Sequence, residues 1–328
     1  GMTAQDLQSR KLLFSPAPHV HSGASISGVV LTFMVALVPA LVFGIMTYGM
    51  HAVRVVSVAI ASAMAAEWIL QKLFRQPVTV HDGSAALVGL VLAMLLPPSV
   101  PWWLVALGSF VSILVGKQVF GGLGGSPFNP ALIGWAAIRL SWYEHINFDF
   151  SMVQYDVPFP IDYPLSVLKW SGAEALTQFH AMDLFLGKQI GGLGTTAILL
   201  LLIGGLYLLI RGVITWHIPV SFLGGVALTA LLFWWTDSAK YADPVFHLLT
   251  GSVMFGAFFL ATDYSSSPAN SLAMVLFGLG CGFFTVLFRV WSVYPDGVVF
   301  AVLIMNILNP LLDKIRPKVP GKEEREAA

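Results

Sequence analysis

The stretch His81-Asp-Gly-Ser-Ala-Ala-Leu-Val-Gly-Leu90, continued by Leu96-Pro-Pro98 and by Gly116-Lys-Gln-Val-Phe-Gly-Gly-Leu-Gly-Gly-Ser-Pro-Phe-Asn-Pro-Ala131, decides the fold class. It sets polar, glycine-rich backbone between apolar segments too short to cross a bilayer. Non-helical backbone at membrane depth is tolerated only where protein or a water-filled cavity satisfies its amides and carbonyls. The pattern therefore predicts broken or half helices beside a pathway or a binding site.

The rest of the chain agrees. Of its 328 residues 57% are hydrophobic and only 10% are charged, and the mean hydropathy is +0.80. This is the composition of a polytopic membrane protein and excludes an ordinary soluble domain. Apolar runs from Ile26 to Tyr48, Val53 to Leu70, Thr195 to Ile210, Val245 to Ala261 and Leu272 to Phe288 lie near the roughly 17 to 25 residues that a spanning helix needs. Shorter or proline-broken runs supply about five more spans. The prediction is an all-α integral membrane protein of about ten transmembrane helices. The polar opening Gln5, Asp6, Gln8, Arg10, Lys11 does not read as a signal peptide.

A ten-span threading puts both termini on one side and divides the chain into a segment 1–25, a first membrane repeat 26–142, a loop 143–194, a second repeat 195–317 and a tail 318–328. On the side of the termini lie Arg10, Lys11, Lys72, Arg75, Lys117, Arg211, Lys314, Arg316, Lys318, Lys322 and Arg325, most of the seventeen basic residues. By the positive-inside tendency that side is cytoplasmic, in the inner membrane of the cell. The loop carries Glu144, Asp149, Asp156, Asp162, Glu174 and Asp183 against Lys169 and Lys188, which predicts the opposite compartment. Net charge is zero and no basic stripe occurs. The expected surroundings are membrane lipid, and nucleic acid is not an expected partner.

The halves echo one another at an offset of about 166 residues. His81-Asp-Gly-Ser84 with Gly89 answers to His247-Leu-Leu-Thr250 with Gly256, and Pro101 and Pro130 answer to Pro268 and Pro295. Two repeats of five spans each, an odd number, must be inverted in the membrane, which places sites at their interface.

Several residues stand out chemically. Glu67 lies inside an apolar run, where a carboxylate is a default candidate for an ion path; the plainer reading pairs it with Lys72 or Arg75 near the cytoplasmic end. Asp82, Asp263 and Asp296 flank the short segments and fit either helix capping or ion ligation, capping being the simpler duty. Asn129, before Pro130, suits a helix cap or a ligand contact, the cap being the simpler duty. Lys117 and Arg289 occupy matching places in the two repeats and are expected to snorkel to opposite interfaces, with anion binding as the alternative for either. Trp102-Trp103 and Trp234-Trp235 read as interfacial belts. His81, His217 and His247 are separated, and no metal site or catalytic group is expected in this chain alone. The single cysteine, Cys281, reads as a small packing residue.

The run Gly116 to Gly134 closely resembles the signature of the RnfD/NqrB family, membrane subunits of ion-translocating, flavin-containing electron-transport complexes. Asp82-Gly-Ser-Ala, Trp216-His-Ile-Pro-Val-Ser-Phe, His247-Leu-Leu-Thr-Gly, Thr262-Asp263 and Tyr294-Pro-Asp-Gly-Val-Val-Phe-Ala strengthen the resemblance, which runs from about Ser15 to Pro317 and is closer to RnfD. It implies ten helices in two inverted repeats and a six-subunit complex, with the A, B, C, E and G subunits of an Rnf complex as partners. Electron passage between ferredoxin and NAD is then coupled to Na+ or H+ transport.

The family also implies FMN esterified through its phosphate to a threonine of a Ser-Gly-Ala-Thr motif in the outer loop; on the same resemblance Asn129 is a candidate to face a flavin ring, and Lys117 and Arg289 are candidates to bind a flavin phosphate. The matching segment is Ser171-Gly172-Ala173-Glu174. Glutamate has no hydroxyl from which to build the phosphoester. A carboxylate also repels a phosphate, by about 1 kcal/mol at 4 Å in water and more when desolvated. Covalent FMN is therefore not expected at Glu174, while riboflavin, which lacks the phosphate, is compatible. Two rival readings remain: a subunit kept for assembly without its own flavin, and a passive solute channel suggested by Asn129-Pro-Ala and Asn309-Pro-Leu. The latter tripeptides lie about 180 residues apart and miss the repeat offset.

Overall fold

The computed structural model describes residues 25–122, 124–151 and 157–315; the opening segment 1–24 and the end of the chain, 316–328, with their basic residues, lie outside these. Among the described residues the regular structure is helical throughout.

The first repeat opens with α1 (Ile26–Tyr48), capped by Ser25, whose hydroxyl accepts from the Gly28 amide at 3.1 Å. Gly49, at a φ of 61°, turns the chain directly into α2 (Met50–Leu73). Both are long and apolar enough to cross a membrane. The next three are short: α3 (Ser84–Leu95), α4 (Trp102–Ile113, running on through a π-turn to Gln118) and α5 (Pro130–Ser141). The twelve residues of α3 or of α5 reach only about 18 Å, and α4 with its π-turn about 25 Å, under the roughly 30 Å of hydrocarbon. Chain ends and turns thus enter the layer, as the glycine-rich loops predict.

The second repeat comprises α6 (Ile198–Ile210), α7 (His217–Thr236), a broken segment, α9 (Ser271–Trp291) and α10 (Val298–Leu312). The broken segment, α8, consists of Pro244–Leu249, an interruption at Thr250-Gly251-Ser252, and Val253–Phe255 continuing as a π-turn to Leu260. Its counterpart in the first repeat is the short turn Val80–Asp82 and Gly83 ahead of α3. Each repeat therefore has five segments, one of them interrupted at the entrance to its helix.

Hydrophobic burial adds little between helices already in lipid, so close van der Waals approach has to hold them. At Gly225 of α7 an added Cβ would lie 2.7 Å from the Leu279 carbonyl of α9, and at Gly89 of α3 it would lie 2.6 Å from the Ala59 carbonyl of α2. Only glycine lets these backbones meet. Across the repeats α1 packs on α6 and α5 on α10, each helix against its own counterpart. A pseudo-two-fold axis between the halves produces such pairing.

The loop 143–194 is folded onto this body. Its helix Pro164–Ser171 is followed by a turn Ala173–Gln178 and a helix Ala181–Phe185, and Gly187 to Ala197 is buried for most of its length. The Leu193 and Gly194 amides donate to the carbonyls of Leu96 and Met94 at 3.0 Å each, capping the end of α3.

Candidate functional site

Two buried polar clusters answer to each other across the repeat relation. In the first, the Lys117 ammonium, in the π-turn that ends α4, binds a Glu67 carboxylate oxygen of α2 and donates to Ser84 Oγ at the start of α3 at 2.6 Å. Lys117 is 2% and Glu67 0% exposed. Asp82 accepts from the Ser84 amide at 2.7 Å and from its hydroxyl, so it caps α3 and orients the group that Lys117 touches. Gln71, one turn beyond Glu67, donates to the same carboxylate oxygen at 3.3 Å and ties it to Thr79. The second oxygen, Glu67 Oε2, is buried and has no hydrogen-bond partner among the described residues. A carboxylate so held has a free acceptor for a proton or a cation.

In the second cluster Arg289, near the end of α9, donates to the carbonyls of His247 and Thr250 at 2.8 Å each, at the interruption of α8. It also meets Asp296 Oδ1 at 3.3 Å. Asp296 Oδ2 accepts from the Ser252 amide at 2.8 Å and its hydroxyl at 2.6 Å, so a carboxylate from the next connection caps the second half of α8. Although the sequence offset pairs Ser84 with Thr250, Ser84 and Ser252 play the same part, as do Lys117 and Arg289: in each repeat a buried cation and an aspartate hold the start of a broken helix.

The clusters lie at opposite ends of the helices. Asn129, at the start of α5, caps that helix by accepting from the Ala131 amide at 3.1 Å and donates to the Leu260 carbonyl, where α8 ends, at 3.2 Å. The start of α5, and with it the end of α4 that carries Lys117, is thus level with the end of α8. The Arg289 cluster sits at the start of α8, on the other side.

The structure departs here from three expectations. Lys117 and Arg289 do not snorkel; both are buried in charge pairs, because backbone and carboxylates inside the protein are nearer than either interface. Glu67 pairs with Lys117, fifty positions away, and not with Lys72, whose ammonium lies over the Trp68 ring at 3.8 Å. Lys117 is therefore not a loop charge in the positive-inside count.

The remaining candidates are dispersed. Asp263 accepts from the hydroxyls of Ser265 and Ser266 at 2.8 and 2.9 Å, beyond the end of α8. Glu67 and Asp82 are joined through Lys117 and Ser84, whereas Asp263 and Asp296 stand apart from them. Among the described residues no grouping of His, Cys, Asp and Glu could hold a metal ion. Cys281 is buried, and the four paired tryptophans are exposed near helix ends.

In the loop 143–194 Ser171 ends its helix, Gly172 turns at a φ of 81°, and the Ala173 amide donates to the Ala239 carbonyl at 3.2 Å. Glu174 is exposed on the short turn that follows, with Thr177 exposed on the same turn. The group at position 174 is a carboxylate, which does not fit a phosphoester-linked flavin. Beside the turn lies a cavity of about 260 Å³ walled by Phe179, Trp234, Tyr241 and Phe246.

The pattern that matches this chain is that of the NQR2, RnfD, RnfE family, over residues 13–321. The chain belongs to this family. It is 38% identical to the D subunit of the proton-translocating ferredoxin:NAD(+) oxidoreductase complex of Clostridium ljungdahlii, over 96% of this chain and 98% of that protein. It is 37% identical to the D subunit of the Na(+)-translocating ferredoxin:NAD(+) oxidoreductase complex of Acetobacterium woodii, over 92% and 93%. The D subunit of the ion-translocating oxidoreductase complex of Escherichia fergusonii is 33% identical, over 93% and 97%. Family membership and the buried charges are independent observations: the first comes from the whole chain, the second from its folding. Arg139, which the sequence reading does not single out, is a third buried cation and lies in α5.

Proposed function

We propose that this family member is the D subunit of an Rnf-type complex, a redox-driven ion translocase that couples electron transfer between ferredoxin and NAD to Na+ or H+ movement. Near-full-length similarity to subunits of that name carries the reading. The chain does not act alone; its partners are the other membrane and peripheral subunits of the complex, A, B, C, E and G.

Within that complex the Glu67–Lys117 cluster is the candidate element of the ion path. A charge pair is costly at membrane depth unless it is used or fully satisfied, and Glu67 Oε2 is not satisfied by the described residues. The loop 143–194 faces the extracytoplasmic side and carries no flavin bonded to Glu174. A passive channel has no need of a buried, hydrogen-bonded cation in each repeat, each holding a helix start.

Purification through a tag on this chain from its native membrane tests the reading. The expected result is co-purification of a multisubunit assembly that reduces NAD with reduced ferredoxin and, in vesicles, moves Na+ or H+ during turnover. Recovery of the chain alone, with solute flux that ignores ferredoxin, would sink the proposal.

A further inference from the structure

On the side of the Arg289 cluster, beneath the folded loop, lies a second cavity of about 30 Å³. Its wall is drawn from both repeats and the loop: Trp135 and Arg139 from α5, Tyr163 and Asn147 from the loop, Ser252 and Asp296 from the second repeat. The hydrogen-bonding capacity of this wall is lopsided. Both oxygens of Asp296 are engaged, by Arg289 and by Ser252. Asn147 donates to the Tyr143 hydroxyl at 3.3 Å and accepts from the Asp149 amide at 3.2 Å. What remains among the described residues is weighted to donors: Trp135 Nε1 and Arg139 Nε, which only donate, and the Tyr163 hydroxyl, which can donate or accept, are buried and without hydrogen-bond partners.

The charge is lopsided too. Arg139 is 5% exposed, and no carboxylate among the described residues forms an ion pair with it. It makes one long hydrogen bond, from Nη1 to the Tyr143 carbonyl at 3.5 Å, and stands over the Tyr143 ring at 4.5 Å. The nearest loop carboxylate, Asp149, accepts from Ser166 at 2.8 Å, and burial pushes its pKa above the usual carboxylate range. Asp149 acts on Arg139 only across space, and a buried guanidinium with no carboxylate in contact is costly in a protein interior.

We propose that this cavity is a binding site for a small monovalent anion of halide size, held by Trp135, Arg139 and Tyr163. Its volume admits roughly two water-sized bodies and excludes phosphate and any flavin. Water also accepts from these groups, but it brings no charge to set against Arg139. An anion accepts from all three and supplies the missing charge. Because the donors come from α5 and the loop, opposite a wall from the second repeat, the bound anion fastens the outer end of the seam between the repeats.

Thermal unfolding of the purified full chain in detergent, with sodium chloride exchanged for sodium gluconate at constant sodium, tests the site separately from any coupling cation. The wild type should show a saturable rise in Tm with chloride. Arg139→Gln should abolish that rise. Trp135→Phe, which keeps the shape and removes one donor, should weaken half-saturation about threefold to tenfold. Equal Tm in chloride and gluconate would overturn the proposal, as would an undiminished rise in Arg139→Gln. If Arg139→Gln does not fold, an unchanged half-saturation in Trp135→Phe overturns it instead. Crystals grown in bromide should show anomalous scattering in the cavity, and water alone at that position would count against it.

Discussion

Lys117 closes on Glu67 from fifty positions along the chain, and the two side chains neutralise one another where neither touches solvent. Their pairing joins the ends of α2 and α4, and through Ser84 it includes the start of α3. The charge pair thus ties together three helices of the first repeat that also pack directly on one another.

Removing one partner leaves the other buried and uncompensated, which costs about 3 to 5 kcal/mol, whereas replacing both with apolar residues of similar size is often neutral. Lys117→Met should accordingly lower the Tm of the complex sharply, and the double variant Glu67→Met, Lys117→Met should recover most of the loss. Glu67→Gln removes the counter-charge but keeps an acceptor for Lys117, so it should lower the Tm less than Lys117→Met and leave the complex assembled. If the pair serves transport, both Glu67→Gln and the double variant will transfer electrons while moving fewer ions per electron. A double variant with unaltered ion transport per electron shows the pair to be structural only.

Asp296 should prove more important for stability than Asp263, although both are carboxylates flanking short segments. Asp296 meets the Arg289 guanidinium and caps the second half of α8, while Asp263 accepts only from nearby serines and its own turn. Asp296→Asn should lower Tm by several degrees more than Asp263→Asn, measured side by side on the purified chain. Equal losses would mean that the charge of Arg289 is compensated elsewhere.

The apolar runs and the glycine-rich breaks made the helical membrane fold legible, because both follow from local chain chemistry. Capping by Asn129 was legible for the same reason: the residue precedes a proline at the first position of a helix. The partner of Lys117 was not, since it depends on how α2 and α4 cross. A signal was nevertheless present. Lys117 interrupts apolar sequence within a few residues of Ile113-Leu-Val, and Arg139 sits in Gly134-Trp-Ala-Ala-Ile-Arg-Leu140. A cation so placed demands a counter-charge or a ligand, and that demand is visible before the fold is. The identity of the partner follows only from the packing.

The orientation proposed for the loop can be read with one introduced thiol. Ser171 is exposed, and the chain's single cysteine, Cys281, is buried, so background labelling is low. Ser171→Cys should react with a membrane-impermeant maleimide applied to intact cells, after removal of any outer membrane barrier. Reaction only once the inner membrane is breached would place the loop in the cytoplasm and reverse the whole topology.

Whether the loop carries covalent flavin can be read without any activity. Position 174 presents an exposed carboxylate where the resemblance calls for a hydroxyl, and a phosphoester cannot be formed from it. The denatured chain should therefore give no fluorescent band under ultraviolet light on a gel. Thr177, exposed on the same turn, is the nearest downstream hydroxyl and is displaced by three residues from the motif position. A fluorescent band whose modified peptide spans residues 166–188 would refute the reading, and mass spectrometry would assign it to Ser171 or Thr177. With no band in the wild type, Glu174→Thr supplied with a flavin transferase becomes decisive for the history of the loop. A band gained in that variant shows a turn that still fits the transferase and has lost only its anchor; no band shows that the surrounding loop has changed as well.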